Sequence, residues 1–259
     1  MPYAIDQIGG SAMIQPMQSF VLAVQFLTRI PTPQIHDFKP TSLGRASGYF
    51  PLVGLLIGGI LAATAYAGSL VDPWVGAVLT LSVWVMITGA LHLDGLSDLA
   101  DALGASHANP ERFHDVLKDP HIGTFGVATL ATQMLLKLVL LMLIARSGQV
   151  WLIILVCAWA RLGPLFWAHY LPVLKPTTNA SEGSGERFSW EISTATPWVW
   201  SCVLLLGTFI SPAFAFGPVA LGIWALYLHR RLGGQTGDAL GAGIEVTETI
   251  LLLACVVFL

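Results

Sequence analysis

The sequence predicts an all-α protein that crosses a membrane repeatedly, as a single integral domain of about seven transmembrane helices with a cytoplasmic N-terminus. Three observations carry this. Hydrophobic residues fill 55% of the 259 positions and charged residues only 10%, against about 25% charged in an ordinary soluble domain. The mean hydropathy is +0.72. The apolar residues form long unbroken runs, not the alternation that a membrane β-barrel requires. The same figures exclude a soluble globule and a disordered chain. A net charge of -3, with no basic run longer than two residues, excludes nucleic acid as a partner and leaves the lipid bilayer as the surroundings.

Residues 1–48 form a cytoplasmic or interfacial N-terminal segment. No basic residue precedes Arg29, so a secretory signal peptide is not expected. Its apolar stretch Phe20–Ile30 is too short to span and stops at Pro31-Thr32-Pro33, which reads as an interfacial or re-entrant piece. A span needs roughly 20 mostly apolar residues. The candidates are Tyr49–Gly68, Trp74–Leu93, Val127–Ala145, Val150–Leu171, Pro197–Phe216, Gly217–Leu228 and Val246–Leu259, the last two being short. Cys157, Cys202 and Cys255 all lie in these apolar runs without a CxxC partner and read as small packing residues.

Basic residues choose the orientation. Arg29, Lys39, Arg45, Arg112, Lys118, Lys175, Arg187, Arg230 and Arg231 fall on one side of the seven spans; only Arg146 falls on the other. The even-numbered connections are therefore expected in the cytoplasm. Fourteen of the 15 acids lie on that same side or at the span ends facing it, Asp72 being the exception. The positive-inside rule says little about acids. A working site that needs carboxylates on the cytoplasmic face accounts for the bias.

The segment after the second span reads His92-Leu93-Asp94-Gly95-Leu96-Ser97-Asp98-Leu99-Ala100-Asp101. Acids at i, i+4 and i+7 share one helical face. Three like charges on one stripe repel each other, and no Lys or Arg on that face balances them. A hard divalent cation does; Mg²⁺ takes oxygen ligands, keeps waters and shares substrate phosphates. His92 points to a different face, as an orienting or interfacial residue. The following loop holds Arg112 and Lys118, cations suited to phosphate, and Gly123 and Gly126, which permit close backbone approach before the third span.

A second acidic segment follows the sixth span. Gly233, Gly234 and Gly237 form a loop able to wrap a phosphate, and Asp238, Glu245 and Glu248 share a helical face. Residues at i and i+7 lie about 10 Å apart along a helix, so the first stripe cannot surround one ion alone. Asp238 is the expected opposing ligand to Asp94 and Asp98. The segments 94–126 and 229–248 together make the expected active-site face. Lys137 and Arg161, inside spans, suit either a transport path or buried pairs.

The stretches at residues 92–105, 117–126 and 231–248, with Leu27–Pro33 and Tyr49–Gly54, resemble the cobalamin synthase family, adenosylcobinamide-GDP ribazoletransferase. The resemblance runs in order along nearly the whole chain. It implies a bacterial inner-membrane enzyme with its active site facing the cytoplasm. Its substrates would be adenosylcobinamide-GDP and α-ribazole or the 5′-phosphate, its products adenosylcobalamin or its phosphate plus GMP, and its cofactor Mg²⁺. A homo-oligomer or other corrinoid-pathway enzymes are the protein partners it leaves open. For this chemistry Asp94, Asp98 and Asp238 would hold metal. Asp101 would take the hydroxyl proton, with Asp98 and Lys118 as further catalytic residues. Arg45, Arg112, His121, Gly123, Gly234, Gly237, Glu245 and Glu248 would bind substrate, the two glutamates completing a second metal site or positioning the nucleophile. The family pattern has an arginine where this chain has His121, whose unperturbed pKa near 6.5 makes it a weaker phosphate ligand at neutral pH. A CDP-alcohol phosphotransferase is the rival enzyme class, but Asp98 stands where its Ala-Arg pair should begin.

Overall fold

A computed structural model describes residues 6–33, 40–106, 112–117, 119–174 and 193–259. Among the described residues the structure is helical, with one isolated parallel bridge between Val173 and Gln235. In chain order the helices are α1 (Asp6–Leu27), α2 (Pro40–Ser47), α3 (Phe50–Ser69), α4 (Pro73–Thr88), α5 (Leu91–Ser106), α6 (Phe113–Val116), α7 (Thr124–Ser147), α8 (Leu152–Tyr170), α9 (Thr196–Leu205), α10 (Gly217–Arg231) and α11 (Gly237–Val257).

The centre of the bundle is α8, buried along 78% of its apolar stretch, whereas α7 is buried along 28% and turns its outer side to lipid. Between helices in lipid there is no water to expel, so close packing of small residues does the joining. Gly54 and Gly58 supply it on α3. A Cβ on either would lie 2.5 Å from the α8 backbone, at Cys157 O and Ile154 Cα, so neither position admits even alanine without a shift. All three cysteines are free; Cys157 and Cys255 are buried, as the packing reading expects, whereas Cys202 is exposed.

Among the described residues five helices are long and apolar enough to cross a membrane: α3, α7, α8, α11, and the stretch Pro212–Arg231 that ends with α10. The α4–α5 pair makes a sixth if its two bent halves count as one span. The expected count of seven is not reached among the described residues. The fifth candidate run, Pro197–Phe216, is broken: α9 has ten residues, then gives way to 3-10 turns at Leu206–Phe209 and Pro212–Phe216. Pro212 has no N–H to donate and starts a new helical segment, which extends the sixth span backwards. The seventh starts at Gly237, nine positions earlier than Val246, because the acidic segment is itself helical. The apolar end of α1, Pro16–Leu27, is too short to span, in line with the reading of Phe20–Ile30.

The second candidate span is cut by a two-residue break. Gly89 and Ala90 both take φ of 59°, in the left-handed region, and α5 leaves at 84° to α4. The Arg29 N–H donates to the Ile87 carbonyl at 2.6 Å beside this break. As a result α5 runs across the end of the bundle, over the first turns of α7 and α11. We call this the acidic end; Asp72, capping α4 through the Trp74 N–H at 2.8 Å, marks the opposite one.

Candidate active site

The crossing of α5 over α11 requires glycine at its contact. A Cβ on Gly95 would lie 3.0 Å from Asp238 Cα and 2.9 Å from its carbonyl oxygen. Gly241 faces the His92 backbone one turn deeper. These contacts bring the two acidic segments together although about 140 positions separate them in sequence. Asp94 is exposed, and Asp98 and Asp238 are half-buried. Partial burial, then the charges of Asp94, Asp238 and Asp101, push the Asp98 carboxyl up to about 6. Desolvation and like charges close by both disfavour the ionised carboxylate. Among the described residues no three His, Cys, Asp or Glu side chains already converge as metal ligands. The donor set is nevertheless all hard oxygen, the chemistry that suits a cation sharing waters and phosphates.

Asp101, the expected proton acceptor, has another duty. Its Oδ2 accepts from the Gly123 N–H at 2.7 Å and its Oδ1 from the Gly126 N–H at 2.8 Å. It thus caps α7, placing an anion against unsatisfied amides and the positive end of the helix dipole. Both glycines back onto this carboxylate, where a Cβ would collide with it at 2.5 and 2.3 Å. Gly123 serves the cap.

Glu245 and Glu248 are not at the acidic surface. Their side chains are 3% and 0% exposed and lie two to three turns inside α11. Lys137 of α7 donates to Glu245 Oε2 at 2.6 Å and also to Glu248 Oε2; Arg161 of α8 donates to Glu248 Oε1. Gln133 donates to Glu245 Oε2 at 2.9 Å, and the Lys137 ammonium sits 4.4 Å from the centre of the Trp84 ring. Two anions meet two cations, so the cluster is formally neutral. This corrects their assignment to substrate or a second metal: both carboxylates are consumed by partners that a membrane interior demands. It also removes Lys137 and Arg161 as markers of a transport path.

The remaining expected residues divide. Gly237, the first residue of α11, lines a cavity beside Asp238. Gly234 packs on Pro172 O, and the Gln235 N–H donates to that carbonyl at 2.9 Å, so the glycine loop is pinned to the end of α8 and does not stand open to wrap a phosphate. His121 is 87% exposed and its Nδ1 lies 2.7 Å from Asp119 Oδ1. Hydrogen bonds with His121 hold the Asp119 carboxyl below the usual carboxylate range. Arg45 and Arg112 are exposed, at the end of α2 and the start of α6. Lys118 lies outside the described residues.

Two concavities lie along α5, and Asp238 lines the smaller one. One, of about 150 Å³, includes Phe26, Phe50, His92, Asp238, Leu240 and Gly241 in its lining. The other, of about 510 Å³, lies between α5, α6 and the end of α10, with Ser106, His114 and Arg231 in its walls. Sequence reasoning passed over His114 and the cavity role of His92, because neither has ligand spacing to neighbours. Only the fold brings their partners.

The family model described as cobalamin-5-phosphate synthase matches residues 19–256. A protein of Laribacter hongkongensis named adenosylcobinamide-GDP ribazoletransferase is 50% identical over 243 residues, covering 93% of this chain and 97% of the relative. One of the same name from Thiobacillus denitrificans is 43% identical, covering 92% and 94%. A third, from Pseudomonas aeruginosa, is 36% identical, covering 93% and 99%. No solved structure matches the chain.

Proposed function

The chain belongs to the cobalamin-5-phosphate synthase family, and we propose that it transfers the adenosylcobinamide-phosphate group of adenosylcobinamide-GDP to α-ribazole or its 5′-phosphate, releasing GMP. The observation that carries this, beside the named relatives, is the gathering of Asp94, Asp98 and Asp238 from two distant segments at one end of a membrane bundle. In the reaction a ribose hydroxyl attacks the phosphorus on the cobinamide side of the diphosphate. The bond from that phosphorus to the bridging oxygen breaks, and GMP leaves with the electron pair. Such transfers depend mainly on positioning and on neutralising charge.

Asp94, Asp98 and Asp238 would hold Mg²⁺, which, when bound, neutralises diphosphate oxygens. The chain's own residues do the rest. With Asp101 occupied by the α7 amides, a carboxylate oxygen of Asp98 left off the metal is the fitting acceptor of the hydroxyl proton. Arg231 and His114, in the walls of the larger cleft beyond α5, would supply cationic or donor groups for the phosphates of the nucleotide. The excess of basic residues on the connections at this end supports a cytoplasmic active site, and the bacterial relatives support the inner membrane.

Purified protein in detergent, given adenosylcobinamide-GDP, α-ribazole and Mg²⁺, should release GMP in step with cobalamin. GMP release that is indifferent to α-ribazole, or none at all, would sink the reading.

A further inference from the structure

The carbonyls in the last turn of a helix have no partner within it. At the end of α4 the chain's own turn meets two of them. The Gly89 N–H donates to Met86 O at 3.2 Å and the Ala90 N–H to Val85 O at 3.1 Å, the Schellman arrangement. That motif needs one left-handed residue, and Gly89 supplies it without steric cost. Here Ala90 is left-handed as well, a conformation disfavoured for any residue with a Cβ. Such a residue persists only where its surroundings over-determine it.

The segment that follows α1, Thr28–Pro33, is that surrounding. The Arg29 N–H donates to a third carbonyl of the turn, Ile87 O, at 2.6 Å. The Arg29 side chain lies across Gly89, where a Cβ would meet its Cγ and Nε at 2.6 Å. No basic residue stands in the last turn of α4 itself, so Arg29 brings the cation that the carboxyl end of a helix favours. The segment is held at both ends. Thr28 Oγ1 donates to Val24 O at 2.7 Å and accepts from the Ile30 N–H at 3.2 Å, and Gln25 Nε2 donates to Pro33 O at 2.9 Å. Phe26, just before it, stacks on Phe50 of α3.

The turn decides where the acids lie. α5 starts from it, the Asp94 N–H donating to Ala90 O at 2.8 Å, and leaves at 84° to α4. The far half of α5 is fixed to α7 through the Asp101 cap. Asp94 stands about 10 Å from Asp101 along the axis, so a swing of about 10° with the far end held moves Asp94 by about 2 Å. Mg²⁺ accepts little departure from an octahedron of oxygens, and a misplacement of about 1 Å can cost a reaction about a hundredfold.

We propose that Arg29 is a positioning residue for the acid cluster. Capping α4 from outside, it holds the Gly89-Ala90 turn left-handed, and thereby sets the direction of α5 and the place of Asp94 relative to Asp238. This rests on the reading of Asp94, Asp98 and Asp238 as one cation site.

The test separates positioning from substrate contact. Arg29→Ala keeps the backbone N–H and takes the side chain off the turn. In the full chain in nanodiscs it should lower kcat by about tenfold to hundredfold, with KM for adenosylcobinamide-GDP within about twofold of the parent. Affinity for Mn²⁺, read by electron paramagnetic resonance without substrate, should fall about tenfold. With spin labels at Ser82 on α4 and Ala105 on α5, in a Cys202→Ser background, the distance distribution of the metal-free protein should broaden. Adding Ala90→Asn, a residue that accepts the left-handed region, should narrow it again and recover kcat and Mn²⁺ affinity. Ala90→Gly, which reaches that region at no steric cost, should recover part. A change at Ala90 does not restore a contact between Arg29 and substrate. An unchanged distance distribution in Arg29→Ala, a loss confined to KM, or losses that neither change at Ala90 repairs would overturn the proposal. Mn²⁺ affinity unaffected by Asp98→Asn in the parent would overturn the shared cation site and this proposal with it. Broadening, weakened Mn²⁺ binding and their repair in a protein that releases no GMP would instead overturn the reaction and leave the role of Arg29 standing.

Discussion

Asp238 and Glu248 stand on the same helix, ten residues apart, and do opposite things with the same functional group. Asp238 sits in the first turn of α11, half-buried, and adds, after partial burial and the Asp94 charge, to the raised proton affinity of Asp98. Glu248 lies about 15 Å further along the axis, fully buried, and meets Lys137 and Arg161. Near the surface, acids without cationic partners are tolerable because water reaches them, and their mutual repulsion is available to a bound cation or proton. Deep in the bundle an acid survives only if it is neutralised. Depth and partner, more than residue type, divide the reactive carboxylates from the structural ones.

The largest effect should come from breaking the deep pair. Glu248→Leu leaves the fully buried Arg161 guanidinium without its carboxylate, with Nε and Nη2 already lacking partners. The expected loss is about 3–5 kcal/mol of stability, read as a large drop in Tm or a failure to purify in a folded form. The double variant Glu248→Leu, Arg161→Leu should recover most of it, since Lys137 and Glu245 remain a matched pair. If the double variant is as unstable as the single one, the cluster is not the charge-balanced unit described.

The shallow acids should respond in the reverse sense. Asp98→Asn and Asp238→Asn should each lower kcat by about 10²–10⁴, while leaving Tm unchanged or higher, because a crowded charge is removed. The double variant should be scarcely worse than either alone, as for residues acting as a unit. Independent, multiplying losses would break the shared site. Asp101→Ala sharpens the contrast: loss of a helix cap should cost about 1 kcal/mol of stability, with a smaller fall in kcat than Asp98→Asn. A fall in kcat equal to that of Asp98→Asn would return Asp101 to the chemistry.

The acid stripe and the crowding of acids at one end, Asp238 among them, were legible because helical spacing and charge asymmetry are local patterns. Duty was not. Asp94, Asp98 and Asp101 look equivalent on a helical face, but only Asp101 meets the Gly123 and Gly126 amides, and that contact is made by a loop folding back. Asp238, Glu245 and Glu248 also share a face, and a face carries no information about depth. Lys137 and Arg161 were visible as buried cations, but not the two glutamates that answer them. Composition found the apolar run Pro197–Phe216 without detecting that Pro212 divides it, and the run Trp74–Leu93 without the left-handed pair Gly89-Ala90 that turns the chain.

The smallest expected effect tests the crowding itself. Without a cation, partial burial and then the neighbouring carboxylates raise the Asp98 carboxyl to about 6, above the usual carboxylate range. A raised carboxyl pKa means that the folded state binds a proton more readily than the unfolded one. Stability from this group therefore increases as pH falls from 7 through about 6, and levels off below the unfolded value. Since Asp98 is partly open to solvent, screening limits the gain to at most about 1 kcal/mol. Other groups titrate over the same range, so the informative quantity is the difference in Tm between parent and Asp98→Asn at pH 7 and pH 5, both in EDTA. The parent should close part of its gap to the variant on acidification. Adding Mg²⁺ at pH 7 should close it too, because a cation relieves the same repulsion that a proton does, and that relief should fade towards pH 5 as the proton competes for the carboxylate. Equal pH slopes for parent and variant would mean that the Asp98 charge is not strained by Asp94 and Asp238, and the distinction between shallow and deep acids would lose its electrostatic basis.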